Sequence, residues 1–247
     1  MIFIPTLPRY RRISSKRQNS SIINYSNNPT GQVATEDFYR KIVEFAHKHA
    51  IVVVVDAAYA ALVFEGKPLS IFSIDGAMDV AIEVHSLSKS FNMTGWRIGF
   101  GVGNETAVDV YGTVKDNTDS GQFRAIQKAA CTAFENIDIT RETIEKYSSR
   151  FDLLVIALQE LGFRAQKPKG TFYCYVPIPK GTNTGIVFNS AESASEYFVK
   201  EAGVSTVPWD DAGSYLRFSV TYEAESTDGA EVIQEMKQRL DNLGLIF

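Results

Sequence analysis

The sequence predicts an α/β protein with a mostly parallel sheet, followed by a small α+β domain. The first indication is the continuous apolar run at 51–55, because such strands are typical of parallel sheets covered on both faces. The second is the alternation of strands with amphipathic helices along the first part of the chain. After Gly162 short strands and helices follow without that regular alternation. We therefore expect part of a large α/β domain over 1–149 and a small C-terminal domain over 150–247.

The large domain is expected to begin with a strand at about 20–24 and a helix that continues to about His49. Thr35 is a favourable residue at a helix N-terminus, and the acidic residues after it suit the first turn. Apolar residues recur in this helix at a spacing that places them on one face. The residues expected on that face are Phe38, Ile42, Phe45 and Ala46.

A strand at 97–102 is expected to pack closely against a neighbour, because glycines alternate along it at Gly99, Gly101 and Gly103. A long helix from Thr140 to about Leu161 is expected to cross between the two domains. The other strands are expected at 51–55, 80–85, 171–176 and 214–219. The other helices are expected at 105–116, 121–135, 191–202 and 225–242.

The composition excludes several classes of protein. The chain has 247 residues, of which 45% are apolar, and this is enough for one large or two modest domains. Its net charge of −4 gives no general attraction to nucleic acid. The best apolar run is interrupted by Asp56, and Met1–Pro5 is too short for a signal peptide. We therefore expect a cytoplasmic protein with neither a nucleic-acid nor a membrane partner.

Three further patterns concern cysteine, histidine and basic residues. Cys131 and Cys174 are widely separated and lack zinc-site spacing, so we expect two buried free thiols. His47 and His49 lie two apart on a helix and cannot share a face, so no metal site is expected. A basic cluster near the start favours an exposed loop, and the alternative is an arm that binds nucleic acid or anionic lipid. Its members are Arg9, Arg11, Arg12, Lys16 and Arg17.

The segment from Ser86 to Phe100 indicates a specific chemistry. Lys89 lies between two serines just after an apolar strand, and Arg97 follows eight residues later. A lysine can form a Schiff base with an aldehyde cofactor, while hydroxyl groups and a guanidinium bind that cofactor's phosphate. The structural alternative is a solvated basic turn between a strand and a helix.

Two upstream segments support the cofactor hypothesis. Asn28 lies in the turn Asn27–Gly31, and Asp56 and Tyr59 directly follow the strand at 51–55. Groups at the carboxyl ends of parallel strands face the ligand crevice of an α/β sheet, so these side chains and Lys89 are expected in one site. The alternatives are an Asx-turn for Asn28, a turn-capping carboxylate for Asp56 and a packed tyrosine.

With these motifs in their order, the chain resembles the aspartate aminotransferase superfamily of fold type I pyridoxal-phosphate enzymes. The matching stretches are Asn27–Gly31, Asp56–Tyr59, Ser86–Lys89, Gly95–Phe100 and Leu216–Ser219. Within the superfamily the chain is most similar to the LL-diaminopimelate aminotransferase branch and its aspartate and alanine relatives. That finer resemblance depends on Val84–Gly95, Asp119–Phe123 and Gly170–Tyr173.

The resemblance implies pyridoxal 5'-phosphate as the cofactor and assigns residues to its parts. Asp56 would contact the pyridine nitrogen, and Tyr59 and Asn28 would donate hydrogen bonds to the phenolic oxygen. The residues implied for the phosphate are Ser86, Ser88 and Arg97. In relatives the region of Ser120 and Gln122 touches the phosphate of the neighbouring subunit.

The same resemblance implies how the substrate is handled. Lys89 would hold the cofactor and then move the substrate's α-proton. Arg217 would bind the substrate α-carboxylate, together with Asn28; its alternative is an arginine paired to a surface acid. Trp209 would line the substrate pocket or serve only packing.

The implied activity is the transfer of an amino group between an amino acid and 2-oxoglutarate, in amino-acid biosynthesis. The donors expected are LL-diaminopimelate, aspartate or alanine, and the enzyme would be a homodimer. The alternatives are a β-lyase on the same cofactor and a non-catalytic remnant. Family members are usually much longer, so we expect a missing N-terminal part before residue 1. That part would carry a phosphate-binding loop, a ring-stacking aromatic residue and some of the substrate pocket.

Overall fold

The structure is a computed structural model that describes residues 19–119, 121–226 and 228–247. Ser120 and the basic cluster, from Arg9 to Arg17, lie outside the described residues. None of the described helices is both long enough and apolar enough to cross a lipid bilayer. Within the same ranges, no group of His, Cys, Asp or Glu side chains is arranged to hold a metal ion.

Strands and helices alternate along the first part of the chain. The helices are α1 (Glu36–His49), α2 (Ala77–Val80), α3 (Leu87–Ser90), α4 (Glu105–Asp119), α5 (Arg124–Glu135), α6 (Asp138–Glu160), α7 (Ala191–Tyr197) and α8 (Ala230–Asp241). The strands are β1 (Ser20–Asn24), β2 (Val52–Asp56), β3 (Ala81–Ser86), β4 (Gly99–Gly103), β5 (Tyr173–Pro177), β6 (Gly181–Thr182), β7 (Val207–Trp209), β8 (Tyr215–Ser219) and β9 (Leu245–Ile246).

The first sheet has the strand order β1-β2-β3-β4. Strands β1, β2 and β3 run parallel, whereas β4 pairs antiparallel with β3. The register aligns Asn24 with Asp56 and Asp56 with Val84, so the carboxyl ends of the three parallel strands meet at one edge. The predicted α/β class with a mostly parallel sheet is therefore confirmed, and the site candidates at this edge lie close together.

Helix α1 covers one face of the first sheet. The Thr35 side chain accepts a hydrogen bond from Phe38 N at 3.2 Å and caps the helix as predicted. The buried residues of the helix are Phe38, Tyr39, Ile42, Val43 and Ala46. They form one core cluster with β2 residues such as Val53 and Val55. Phe45, which was expected on the same face, is partly buried and packs against this cluster, and its ring centre lies 4.4 Å from that of His49.

Close packing of β4 against β3 depends on glycine, as the sequence predicted. A Cβ at Gly99 would lie 2.4 Å from the His85 carbonyl oxygen, and one at Gly103 would lie 2.4 Å from the Ala81 carbonyl oxygen. Gly103 also has a φ of 142°, which other residues rarely adopt. The lack of side chains at these positions therefore allows β4 to lie close to β3, the strand that leads to Lys89.

The second sheet is antiparallel and has the order β5-β8-β7. Together with α6, α7 and α8 it surrounds the largest apolar core, which includes Phe151, Leu158, Phe198 and Leu216. The Arg150 guanidinium of α6 is buried but donates hydrogen bonds to the carbonyl oxygens of Val220 and Tyr222, at 2.9 and 2.6 Å. A buried charge therefore links α6 to the segment after β8.

Helix α6 extends from the lysine segment to the second core. Near its start, the Thr140 hydroxyl donates to the Ser90 carbonyl oxygen at 2.8 Å. Farther along, Phe151 and Leu158 belong to the core around the second sheet. The division of the chain at 149/150 into two domains remains a prediction, and it falls inside this helix.

Several predicted boundaries shift where the backbone turns. Strand β4 begins at Gly99 because a 3₁₀ turn precedes it and Arg97 has a φ of 52°. Strand β5 begins after Thr171, whose φ is 68°. The last helix begins at Ala230, after Gly229 in the left-handed region, and α7 continues as a π-helical turn at Phe198–Ala202. Short strands β6, β7 and β9 were not predicted.

The prediction of two buried thiols is wrong for one cysteine. Cys174 is buried in the second core, but Cys131 is exposed on α5. The buried face of α5 carries Ala130 and Ala133, and Cys131 follows Ala130 by one residue. One step along a helix turns the side chain by about 100°, so Cys131 points away from the protein.

Candidate active site

Lys89 lies in the short helix α3, directly after β3. Ser86 caps this helix, since its hydroxyl accepts a hydrogen bond from Ser88 N at 3.2 Å. The Thr94 hydroxyl donates to the Ser88 carbonyl oxygen at 3.0 Å. Leu87, the first residue of this helix, is buried. These contacts hold the lysine at the carboxyl edge of the first sheet.

The strand that leads to Lys89 is anchored by a buried carboxylate. Glu83 accepts hydrogen bonds from Ile71 N at 2.7 Å and from the Ser70 hydroxyl at 2.9 Å, and His85 lies 2.9 Å away. Burial raises the pKa of Glu83, but the hydrogen bonds from His85, Ile71 and Ser70 outweigh it and lower the pKa overall. The ionised carboxylate therefore stabilises the end of β3 without exposure to solvent.

The amine of Lys89 rests on two aromatic rings. Its Nζ lies 5.7 Å from the centre of the Tyr59 ring and 5.5 Å from that of Phe172. Within the described residues it makes no hydrogen bond and no ion pair. The amine is thus held in position by ring faces, and its hydrogen-bonding capacity is left for a ligand.

Tyr59 is a buried tyrosine between the two sheets. Its ring contacts Phe172 at 5.4 Å and Tyr173 at 6.0 Å between ring centres. Burial raises the pKa of Tyr59 and the Tyr173 phenol raises it further, while the Arg217 guanidinium lowers it by a smaller amount. The net pKa lies above the ordinary value, so the phenol keeps its proton at neutral pH and can donate a hydrogen bond.

Asp56 ends β2 with its side chain exposed at the same edge. Its Oδ1 accepts a hydrogen bond from Ala58 N at 3.1 Å, which is the turn-capping contact that the sequence offered as an alternative. Its Oδ2 has no hydrogen bond within the described part of the chain. Turn capping uses one carboxylate oxygen and leaves the other for a ligand.

A chain of hydrogen bonds leads from Asp56 to the second sheet. Asn24 donates to the Asp56 carbonyl oxygen at 3.0 Å, and its Oδ1 accepts from Asn28 N at 2.8 Å. Asn28 Oδ1 in turn accepts from Arg217 Nη1 at 2.6 Å. Because Arg217 occupies the oxygen of this amide, the Asn28 nitrogen is the group that remains to donate.

Arg217 lies on β8 between aromatic rings. Its Cζ is 3.8 Å from the centre of the Tyr173 ring and 5.7 Å from that of Trp209. The Arg217 Nε is buried and has no hydrogen-bond partner. A buried donor without an acceptor is costly, and a carboxylate of a bound molecule would satisfy it. The alternative of a surface arginine paired to an acid does not describe this environment.

The three candidates for phosphate binding are less closely grouped. Ser88 is buried and Ser86 is partly buried at the start of α3. Arg97 is exposed, and its Nη1 donates to the Thr94 carbonyl oxygen at 3.0 Å. Ser86 pairs with Gly99 across the β3–β4 ladder, and Gly99 follows Arg97 by two residues. Arg97 nevertheless makes no hydrogen bond to Ser86 or Ser88. Gln122 is exposed near the start of α5.

Sequence reasoning did not assign roles to three residues that shape this site. They are Asn24, Phe172 and Tyr173. The sequence signal for Phe172 and Tyr173 was an aromatic pair after Gly170 and Thr171, which indicated a strand and supported the family resemblance but gave neither residue a role in the site. Asn24 ends β1 at the level of Asp56, and strand register was needed to find it.

The family model of class I and II aminotransferases matches residues 9–233. The chain belongs to this aminotransferase family. The match confirms the resemblance predicted from the lysine segment and its companion motifs. The mixed, mostly parallel sheet with its helices also agrees with the fold type I architecture of the family.

Several aminotransferases of the family are similar to this chain. LL-diaminopimelate aminotransferase of Methanocaldococcus jannaschii is 46% identical, and the alignment covers 99% of this chain and 60% of that protein. LL-diaminopimelate aminotransferase of Methanococcus maripaludis is 45% identical, and the alignment covers 98% of this chain and 60% of that protein. The chain thus spans about 60% of the length of the curated relatives it matches.

Solved structures of family members superpose well on the chain. Substrate-bound BacF from Bacillus subtilis has a TM-score of 0.89 at 32% identity, and the superposition covers 99% of this chain and 61% of the BacF chain. A mutant aspartate aminotransferase of Thermus thermophilus has a TM-score of 0.83 at 27% identity, with 97% and 60% covered. The fold of the chain is therefore that of aminotransferases.

Proposed function

We propose that this chain belongs to a pyridoxal-phosphate-dependent aminotransferase that transfers an amino group between an amino acid and 2-oxoglutarate. The observation that carries the proposal is the convergence of Lys89 and Arg217 on one set of aromatic rings. Asn28 and Asp56 lie beside them through a continuous chain of hydrogen bonds. An amine and a carboxylate-binding guanidinium at one site suit a substrate that is an α-amino acid.

The described residues fit pyridoxal phosphate. The Lys89 amine makes no hydrogen bond within the described chain, the Asp56 Oδ2 is likewise without a donor, and the Tyr59 phenol keeps its proton. Asp56 would contact the pyridine nitrogen, and Tyr59 and the Asn28 amide nitrogen would donate to the phenolic oxygen. Ser86, Ser88 and Arg97 would bind the phosphate. When bound, the cofactor supplies an electron sink for the carbanion formed as the substrate loses its α-proton.

Two side chains, Arg217 and Lys89, would act on different parts of the substrate. Arg217 would bind the α-carboxylate, and its buried Nε supplies a donor that has no acceptor in the chain itself. Its stacking on Tyr173 fixes the plane of the guanidinium and hence the orientation of the substrate. Lys89 Nζ would then take the proton from the substrate Cα and act as the general base.

Substrate class and assembly are inferred from the relatives. The proteins named LL-diaminopimelate aminotransferase are 46% and 45% identical to this chain, which favours LL-diaminopimelate as amino donor over aspartate or alanine. We also infer a homodimer in the cytoplasm. The chain spans about 60% of these relatives, so amino transfer is the activity proposed for the whole enzyme.

Covalent labelling tests the site without a requirement for turnover. The protein is incubated with pyridoxal phosphate, reduced with borohydride and digested, and the modified lysine is located by peptide mass. We expect label on Lys89 and loss of that label in Lys89→Arg. Lys67, which lies in an exposed loop, is the matched control. Label on Lys67 or on scattered surface lysines, with none on Lys89, would refute the proposal.

A further inference from the structure

Three aromatic residues form a continuous group between the two cationic side chains of the site. Tyr59 and Phe172 lie 5.4 Å apart between ring centres, Tyr59 and Tyr173 lie 6.0 Å apart, and Phe172 and Tyr173 lie 4.6 Å apart. We call these three residues the aromatic spacer. Lys89 contacts the spacer through Tyr59 and Phe172, and Arg217 contacts it through Tyr173.

The rings of the spacer are fixed by the fold. Tyr59 and Phe172 are both 8% exposed, and the Phe172 ring also packs against Tyr147 of α6 at 5.8 Å. Tyr173 is the first residue of β5 and pairs with Ser219 of β8. Tyr59 lies in the turn after β2 and Phe172 lies just before β5, so burial fixes these two rings, whereas strand pairing fixes Tyr173.

Aromatic rings are electrostatically suited to the position between Lys89 and Arg217. Two cations that approach one another repel, and within the described residues no carboxylate is hydrogen-bonded to either of them. The face of an aromatic ring is negative and attracts a cation, more strongly when water is excluded. The spacer thus stabilises each cation separately and keeps the two at a set distance.

We propose that Phe172 and Tyr173 are positioning residues, with Tyr173 orienting Arg217 for a carboxylate and Phe172 orienting the Lys89 amine for the cofactor. The inference rests on the function proposed above, and it adds two residues to the site. It also separates their effects, because each ring contacts a different cation. Loss of one ring should impair one step and spare the other.

Two measurements on the purified protein resolve the two effects. Calorimetry measures the affinity for 2-oxoglutarate, which reports on Arg217. The rate of labelling of Lys89 by pyridoxal phosphate and borohydride, followed by peptide mass, reports on the amine. Neither measurement requires turnover, so both apply to the chain as it exists.

The variants are chosen to separate the ring from its hydroxyl group. Tyr173→Leu should weaken 2-oxoglutarate binding about tenfold and change the Lys89 labelling rate less than about twofold. Tyr173→Phe keeps the ring face and should behave as the wild type does in both assays. Phe172→Leu should slow the labelling of Lys89 about tenfold and leave the affinity for 2-oxoglutarate unchanged.

A matched control comes from the same strand. Tyr175 stacks on Tyr215 at 4.5 Å between ring centres and pairs with Arg217 across the β5–β8 ladder, but neither Lys89 nor Arg217 lies over its ring. Tyr175→Leu should therefore leave both measurements at wild-type values. If it reproduced the effects of Tyr173→Leu, general damage to β5 would explain both, and the inference would be overturned.

The remaining outcomes distinguish the inference from the function on which it rests. If wild-type Lys89 is labelled and 2-oxoglutarate binds, but Tyr173→Leu and Phe172→Leu match the wild type, the inference is overturned and the function stands. If Phe172→Leu and Tyr173→Leu impair both measurements equally, the two roles are not separate and the inference fails. If Lys89 is not labelled in the wild type, the function fails and the inference with it.

Discussion

Lys89 Nζ lies 5.5 Å from the centre of the Phe172 ring, although the lysine follows the last parallel strand of the first sheet and the phenylalanine precedes the first strand of the second. The contact shows that the site is built where the two sheets meet. Substitutions in either sheet should therefore alter the position of the Lys89 amine. The same position at the junction also brings Arg217 of β8 within reach of Asn28.

Replacement of Arg217 tests its role as a carboxylate ligand. Arg217→Lys keeps the charge but loses the planar fork and the stacking on Tyr173, so 2-oxoglutarate affinity should fall by roughly 10- to 100-fold. Arg217→Ala should show a loss at least as large. Calorimetry measures both. Arg164→Lys, at an exposed position, is the control and should bind normally. Equal affinity in Arg217→Lys and the wild type would remove Arg217 from the site.

The two cysteines should differ sharply in reactivity. Burial raises the pKa of the Cys174 thiol to about 12, and the side chain is inaccessible, whereas Cys131 is exposed. Because the thiolate is the reactive form, a disulfide reagent at about pH 8 should label Cys131 quickly and Cys174 only after unfolding. Cys131→Ser should abolish the fast phase, and Cys174→Ser should retain it. Two fast thiols in the native wild type would contradict the structure.

Two glycine substitutions should change stability in opposite directions. Gly103→Ala places a Cβ 2.4 Å from the Ala81 carbonyl oxygen at a φ of 142°, so it should lower the free energy of unfolding by about 1–3 kcal/mol. Gly112 lies inside α4, and a Cβ there meets no atom within 4 Å. Gly112→Ala should raise the free energy of unfolding by about 0.5–1 kcal/mol. Urea unfolding measures both, and a Gly103→Ala variant as stable as the wild type would count against the close packing of β4 on β3.

Tyr59 should make the protein less stable in alkaline solution. Its pKa in the folded protein lies above the unfolded value near 10, mainly because of burial. Above about pH 10 the folded state therefore binds more protons than the unfolded state, and the free energy of unfolding falls as pH rises. The stabilisation that Tyr59 provides is fully present at pH values below the unfolded pKa, and it is lost as the pH rises towards the folded pKa.

Tyr59→Phe should consequently lose less stability than the wild type between about pH 9 and about pH 11, as measured by urea unfolding at each pH. Other buried tyrosines contribute to the wild-type slope, so the comparison concerns the difference between the two proteins. Tyr111→Phe, at an exposed position on α4, is the control and should follow the wild type. An identical slope in Tyr59→Phe would show that this phenol does not titrate abnormally.

The sequence predicted the parts of the site that depend on local patterns. Lys89, Asp56 and Asn28 follow apolar strands whose carboxyl ends share an edge, and strand polarity alone brings such residues together. Thr35 was recognised as a cap because capping depends on the next three residues only. Most element boundaries were correct to within a few residues, and the errors occur at Arg97, Thr171 and Gly229, where positive φ angles were not foreseen.

The contacts that the sequence did not predict are tertiary. Phe172 and Tyr173 were predicted as strand residues and used for the family resemblance, but their contact with Tyr59 depends on how the second sheet packs on the turn after β2. Cys131 was expected to be buried because its distance in sequence from Cys174 and the lack of zinc-site spacing favoured free thiols, and such spacing does not show which face of α5 packs inward. The antiparallel direction of β4 was also missed, because its short, glycine-rich sequence is compatible with either direction.

The hydrogen bond between Arg217 and Asn28 has a consequence for the order of folding. It joins residues that are 189 positions apart, so nearly the whole described chain forms the loop that this bond closes. A contact of such long range forms only after a large loop has closed, which costs conformational entropy before the contact stabilises the chain. Such contacts therefore usually form late. Helices such as α1, which need only nearby residues, can form well before. During refolding, the capacity to bind a carboxylate should therefore appear after most of the secondary structure, as the final sign that both sheets have come together.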